Sequence, residues 1–350
     1  MSSNTMQQYR LYKQGSTEGL RLETVEKPRL RSSTEVLIKV HAISLNARDN
    51  QIVNGTYGAP VREGVVVVSD GAGEIVEVGL DVDLFKVGDR VTAMPMPGHN
   101  AGEYPEPRLY TKALGSGTDG LASEYFRASQ EDVIHMPSHM TYEEAATLPI
   151  ACGTAWSALY GRTKQVTSGD VVVCMGTGGV SFFTAALALG AGARVIMTSS
   201  SDEKADKIRQ HLSHLIKTQD AFQVMNRKKH PKVETEVKRL TGGNKADFII
   251  EIGGVKTLPS SIRCMKPGGL IALTGMLTNI ASLLLWGGPI ARGIGPAPRN
   301  EMKRMHRALE ASQFRPLVDK VFEFYQLKEA YEYSLGSNFL GKIVIRVAKD

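Results

Sequence analysis

The sequence predicts an α/β chain in which a β-rich domain is interrupted by a doubly wound, parallel-sheet domain. Three observations carry this. Valine-rich runs separated by turns dominate the first 150 residues. From residue 171, short apolar runs alternate with helix-like segments, as in a parallel sheet covered on both faces. The end of the chain, KIVIRV at Lys342–Val347, returns to a strand of the first type.

In chain order, Val36–Ala42 (VLIKVHA) reads as a strand. The four valines Val65–Val68 read as a second, ending at Ser69-Asp70 and the turn Gly71-Ala72-Gly73. Glu74–Val78 alternates in strand fashion, and Val87–Val91 reads as a turn entering another strand. Met94–Gly120 differs, with four of the fifteen prolines and five glycines. So long an irregular stretch marks either a lid or a plain surface excursion. Thr141 with Glu144 three residues on forms a capping box. Val171–Met175 reads as a buried parallel strand. Helix, strand, helix, helix, strand and strand then follow at Phe182–Leu189, Arg194–Met197, Asp202–His211, Val233–Leu240, Phe248–Ile252 and Leu270–Leu273. Glu301–Ala311 reads as a helix. The predicted division is residues 1–149 with 297–350, and a nucleotide-binding domain over 150–296.

Composition narrows the function classes. At 42% hydrophobic and 22% charged, the 350 residues suit a globular protein of about two domains. No apolar run reaches the roughly 18 residues needed to span a bilayer, and MSSNTMQQYR has no apolar core of a secretory signal. Cys152, Cys174 and Cys264 are odd in number and widely spaced, which argues against a disulfide framework and for a reducing cytoplasm. The net charge is +6, and its only cluster is Arg227–Lys232 (RKKHPK). That run reads as a solvated loop or as a nucleic-acid patch.

The most informative motif follows the strand at Val171–Met175. Gly176-Thr177-Gly178-Gly179-Val180-Ser181 is a G-x-G-x-x-S run opening a helix. Gly176 permits the tight turn, and Gly178 lets backbone approach a pyrophosphate. The helix N-terminus offers unpaired N–H groups to phosphate. The next strand ends in Ser199-Ser200-Ser201-Asp202, with Lys204 and Arg209 behind. Domains of this kind that take NAD place an acid here for the ribose hydroxyls. Hydroxyls and cations suit a 2′-phosphate, so NADPH is the expected coenzyme. Asp202 is expected to cap the following helix.

With these residues in view, the chain resembles the medium-chain dehydrogenase/reductase superfamily, in its zinc-free quinone oxidoreductase-like and enoyl reductase-like branch. SLNARD at Ser44–Asp49, GTYG at Gly55–Gly58, SDGAGEIVEVG at Ser69–Gly79, GDRV at Gly88–Val91, ASEY at Ala122–Tyr125, AATLPIACGTAWSAL at Ala145–Leu159 and GKIVIRV at Gly341–Val347 carry the likeness, in order along nearly the whole chain. The resemblance implies a GroES-like catalytic domain, a Rossmann domain and a small hydrophobic substrate between them, often in a homodimer. It implies that Thr154, Gly275 and Met276 lie near the nicotinamide end, that Ile252 and Gly253 pass the coenzyme, and that Phe339 and Gly341 close over it. Zinc-dependent relatives carry a Cys at the position of Asn46, a His-Glu pair at Ser69-Asp70 and a further Cys at Ile150. The groups found here bind Zn²⁺ poorly, so no metal is expected. A departure is the absence of an aromatic ring near Thr218, where similar proteins place a Tyr against adenine.

Without a metal, hydrogen bonds must stabilise the developing oxyanion or enolate, and a side chain must supply a proton. Tyr57, which matches a Tyr of related enoyl reductases, is either that donor or a wall of the cleft. Asn46 either binds ribose or substrate or stabilises its loop. Asp49 is expected to organise the loop, Asp70 to partner backbone or an Arg, and His99 to be exposed or to reach in from a lid. The expected reaction is NADPH-dependent hydride transfer to the activated C=C of an enone, enal, quinone or polyketide-like enoyl substrate. Ketone or aldehyde reduction is the alternative, and NADPH or RNA binding without turnover is a third reading.

Overall fold

The computed structural model describes residues 4–102, 107–161, 164–254, 257–274, 290–336 and 339–348. The chain divides into two compact units, Met1–Ile150 with Ala297–Asp350, and Ala151–Pro296. Among the described residues no helix is long and apolar enough to cross a membrane.

The first unit carries β1 (Thr5–Leu11), β2 (Leu20–Glu26), β3 (Glu35–Leu45), β4 (Val65–Val66), β5 (Asp70–Val78), β6 (Arg90–Ala93), β7 (Tyr125–Ser129) and β8 (Val133–His135). Helices α1 (Ala47–Asn54) and α2 (Tyr142–Ala145) accompany them. In the second unit, β9 (Val171–Cys174), β10 (Arg194–Ser199), β11 (Phe222–Asn226), β12 (Ala246–Glu251), β13 (Met265–Thr274) and β14 (Ile290–Ile294) alternate with α3 (Gly153–Tyr160), α4 (Gly179–Gly190), α5 (Asp202–His211), α6 (Val233–Leu240) and α7 (Leu258–Cys264). The chain then returns to the first unit with the helix Arg299–Ala311, β15 (Val318–Glu323), the helix Leu327–Leu335 and β16 (Lys342–Arg346).

β3 is the spine of the first unit. Nine of its eleven residues are buried, because both its faces and both its edges are covered. On one edge it pairs antiparallel with β5; on the other, its first half pairs with β7 and its second half with β16. The partner of Ser44 is thus Val344, from the far end of the chain. The valine run is strand only at Val65–Val66, because Val68 sits at φ 69. That left-handed conformation is an outlier for a β-branched residue and turns the chain sharply before Ser69-Asp70. The irregular stretch covers this turn: a Cβ on Gly120 would lie 2.1 Å from the Val68 oxygen, and one on Gly115 would lie 2.9 Å from its nitrogen. With Gly117, whose Cβ would lie 2.1 Å from the Thr111 oxygen, three of the five glycines there are explained by backbone packing on backbone. His99 is buried in this stretch, contrary to the expected exposure, and its carbonyl accepts from the Arg299 N–H.

The second unit is the doubly wound sheet. Its six strands are all parallel, in the order β11-β10-β9-β12-β13-β14. The winding reverses between β9 and β12, and ligands of such sheets bind outside the strand carboxyl ends at that point. Helix α4 is buried from Ser181 to Leu189, with Phe182 and Phe183 fully enclosed. Each such ring contributes about 1.5–3 kcal/mol through burial, which anchors the start of α4 against the β9 turn.

Candidate active site

In the second unit the loop after β9 has the shape a phosphate requires. Gly176 lies at φ +99, where only glycine is unstrained, and its N–H donates to Thr198 Oγ1 at 2.9 Å. A Cβ there would also lie 3.3 Å from Ile252 Cδ1. Gly178 is the N-cap of the twelve-residue α4 with no side-chain cap, and a Cβ on it would meet nothing within 4 Å. The open cradle and the uncapped N–H groups fit a pyrophosphate. Thr177, Gly179 and Val180 complete the loop and first turn. The place of a third glycine is taken by Ser181, fully buried, whose hydroxyl donates to the Met175 carbonyl at 3.4 Å.

Ile252 and Gly253 are held at this loop by a residue that sequence reasoning did not single out. Glu251, fully buried at the end of β12, accepts from Gly253 N at 2.7 Å, Gly254 N at 3.1 Å, Thr257 Oγ1 and Ser261 Oγ. A buried carboxylate with four donors is fully compensated, and it fixes the turn beside Gly176. The local signal was an acid ending an apolar strand just before Gly-Gly. Thr154 is buried in α3. Gly275 and Met276 lie outside the described residues.

At the end of β10 the expected donors separate. The Ser199 hydroxyl donates to the Ser201 carbonyl at 2.7 Å, and Ser201 Oγ accepts from Lys204 N at 3.5 Å, capping α5. Ser201, not Asp202, is therefore the cap; Asp202 opens the first turn. Ser200 is the hydroxyl this turn does not use. Arg209 drops out of the coenzyme set. Its guanidinium donates to the carbonyl of Phe222, the first residue of β11. Helix α5 runs antiparallel to the strands, so two turns carry Arg209 to the opposite edge of the sheet.

The first unit holds the other candidate residues. The Asn46 N–H donates to Asp49 Oδ2 at 2.8 Å, closing the start of α1. Lys342, 4% exposed, enters from β16 and donates to the Leu45 carbonyl at 2.7 Å and to Asn46 Oδ1 at 2.5 Å. Asn46 Nδ2 lies toward Asp70, near enough to favour the charged form but outside hydrogen-bonding geometry, and is buried. Asp70, fully buried, accepts from Ser69 Oγ at 2.9 Å and Ile150 N at 3.0 Å. Asn46, Ser69 and Ile150, three scattered positions in the sequence, are therefore joined through one carboxylate and one ammonium. Of the partners expected for Asp70, backbone is the one found, at Ile150 N, and the nearby positive charge is Lys342 instead of an Arg.

Burial pushes Asp70 up to about 6, against the pull of Lys342 and with the help of the Asp49 charge. Burial raises Asp49 as well, with Arg48 opposing, and burial lowers Lys342, with Asp70 and Asp49 opposing. Arg48 closes the cluster. It lies 3.5 Å from Asp49, donates to the Leu114 carbonyl and Ser116 Oγ, and sits over the Tyr57 ring at 5.2 Å. Tyr57 and Phe339 are half-buried against the same core. Gly341 has a local reason to be glycine: it lies at φ +76, and a Cβ would meet the Leu317 oxygen at 2.3 Å. Its place in the chain thus follows from packing, without appeal to a coenzyme. Among the described residues, no three His, Cys, Asp or Glu side chains gather as a metal would require.

These two sites place the chain among known proteins. Residues 32–138 match the family model of the alcohol dehydrogenase GroES-like domain, and residues 179–292 match that of the zinc-binding dehydrogenases. A zinc-type alcohol dehydrogenase-like protein of Schizosaccharomyces pombe is 38% identical over 338 residues, covering 94% of this chain and 95% of that protein. The chain belongs to the medium-chain dehydrogenase/reductase superfamily. Within that superfamily, a quinone oxidoreductase of Pseudomonas aeruginosa is 30% identical over 243 residues, 69% of this chain and 65% of the other. A crystal structure of an NAD-dependent alcohol dehydrogenase, 25% identical, superposes with a TM-score of 0.84 over 98% of this chain and all of the other. The superfamily makes this chain an oxidoreductase with a nicotinamide coenzyme.

Proposed function

We propose that the protein is a zinc-independent, NADPH-dependent reductase of an activated C=C, in an enone, enal, quinone or polyketide-like enoyl substrate. The observation that carries the reading is the uncapped Gly176–Gly178 cradle at the switch point of a parallel sheet, beside a β10 end rich in hydroxyls. The coenzyme, when bound, supplies the hydride. Thr177, Gly178, Gly179 and Val180 would hold its pyrophosphate, Ser200 and Lys204 its 2′-phosphate, and Ile252, Gly253 and Thr154 the nicotinamide half. Gly275 and Met276 are kept in that set from the family pattern. The structure-based NAD-dependent neighbour does not decide the coenzyme, because that choice rests on this chain's own side chains at the end of β10.

Zinc independence is supported by the donor set. The position of a Cys in zinc-dependent relatives is Asn46, whose Oδ1 accepts from Lys342, and the two others are Ser69-Asp70 and Ile150, bonded to each other. Lys342 brings a positive charge to this cluster. In this reading Asn46, held by Lys342 and Asp49, positions ribose or substrate. Tyr57, with the Arg48 guanidinium over its ring, gives up its phenolic proton to the substrate carbon or oxygen. The free, buried cysteines Cys152, Cys174 and Cys264 support a reducing compartment such as the cytoplasm.

The test is NADPH oxidation with a quinone and an enone, with and without a strong chelator, followed by product analysis. A saturated carbonyl product, with rates unchanged by chelator, is the expected result. An alcohol product moves the assignment to ketone or aldehyde reduction, and loss of activity on chelation overturns zinc independence.

A further inference from the structure

The basic run Arg227–Lys232, which the coenzyme motif does not account for, lies beside the end of β10. In the sheet register Asn226 pairs with Ser199, and the Arg227 N–H donates to the Ser199 carbonyl at 2.9 Å. The chain then turns back on itself, with the N–H groups of Lys229 and His230 both donating to the Asn226 carbonyl. That turn returns Lys229 to α5, where its Nζ meets Asp202 Oδ2 at 2.6 Å. The other oxygen, Oδ1, accepts from Asn226 Nδ2 at 2.9 Å. The Asn226 amide has one possible orientation here, because its Oδ1 accepts from the Lys228 N–H at 3.0 Å.

Asp202 is the acid nearest the end of the second strand of the unit, the place where an acid grips the ribose hydroxyls of NAD. Both its oxygens are engaged and its charge is matched. We infer that Asn226 and Lys229 are coenzyme-specificity residues: they occupy the Asp202 carboxylate, so that the end of β10 accepts a 2′-phosphate that a free acid would repel. The inference rests on the NADPH reading above. Stability does not explain the arrangement, since an ion pair this exposed contributes little. Coenzyme choice is more sensitive, because it is a ratio in which about 1.4 kcal/mol is a factor of ten. Two further cations of the run, Arg227 and Lys228, are exposed on the same turn and add attraction for a dianionic phosphate.

The experiment measures dissociation constants of NADPH and NADH by protein fluorescence on the full chain, so no substrate is needed. The set is wild type, Asn226→Ala/Lys229→Met, Asp202→Asn, and all three together. All changes lie on exposed or half-buried side chains, and melting curves verify folding. A wild type that prefers NADPH is expected. The double variant should lower the NADPH-to-NADH affinity ratio about tenfold, and adding Asp202→Asn should restore most of it. An unmoved ratio in the double variant overturns the clamp. So does an equal fall with and without Asp202, which would make Lys229 only a phosphate contact. A wild type that prefers NADH overturns the coenzyme reading itself, and the clamp with it.

Discussion

Around Gly176 and Gly178 the backbone forms the site and side chains are kept out; around Asp49 and Asp70 side chains from the start of α1, β5 and β16 form it and little backbone is free. The first site is local, six residues from the end of β9 at Cys174 to the start of α4 at Gly179. The second joins residues almost 300 positions apart, since Lys342 and Asn46 are 296 residues distant in sequence. The loop of the first has low electrostatic stakes, because its own polar groups are neutral, half-buried backbone N–H donors. The second buries two carboxylates and an ammonium, where removing one partner leaves a charge uncompensated. A local backbone site should therefore fail gently and selectively on substitution, while a distributed charged site should fail as a whole.

The largest effect expected from this contrast is at Lys342. Lys342→Met leaves Asp49 and Asp70 buried together and should destabilise the chain by about 3–5 kcal/mol in urea. Adding Asp70→Asn should recover a substantial part. Coenzyme dissociation constants, measured where the variant is folded, should stay within about twofold. A Lys342→Met chain of wild-type stability would break the comparison.

Next comes the pH response of Asp70. Its ordinary value is 3.8 and its buried value about 6. Between them the folded chain holds a proton that the unfolded chain has released, so stability falls as pH rises through that window. At about 1.4 kcal/mol per pH step the loss totals about 3 kcal/mol. Wild type should lose most of this, about 2 kcal/mol, relative to Asp70→Asn between pH 4 and 6 in urea titrations. A flat difference would mean that Lys342 holds the Asp70 charge more strongly than burial opposes it.

The smallest effect on stability, though not on binding, is expected at Gly176. An alanine at φ +99 costs about 1–3 kcal/mol and presses on Ile252. Thermal unfolding should move by only a few degrees, while coenzyme affinity should fall about tenfold or more. Equal affinity would remove the loop from the coenzyme site.

The same contrast explains what could be read from the sequence. The doubly wound unit was legible because its strands, glycine loop and helices follow one another, and a fully buried strand such as Val171–Cys174 is a continuous apolar run. Edge strands were not: β11 and β15 mix polar and apolar residues because one side of each lacks a neighbour. Val65–Val68 looks like strand throughout because composition carries no trace of the left-handed turn at Val68. Arg209 follows β10 closely in sequence but not in space, because a helix moves a residue about 1.5 Å per step along the sheet. Asn46, Ser69 and Ile150 were legible as substituted positions by family resemblance. Lys342 was legible only as part of a strand, because nothing near it in sequence indicates the two acids it meets.

The return of β16 to β3 also sets an order of assembly. Translation delivers Asn46, Asp49 and Asp70 long before Lys342, and the whole of residues 151–296 emerges in between. Until the last strand is made, the two acids have no ammonium to meet: Asp49 has Arg48 beside it, while Asp70 has only neutral donors and water to keep it charged. The contiguous nucleotide unit can close first, while the unit that begins the chain must wait for its end. On the ribosome, the first domain started is the last one finished.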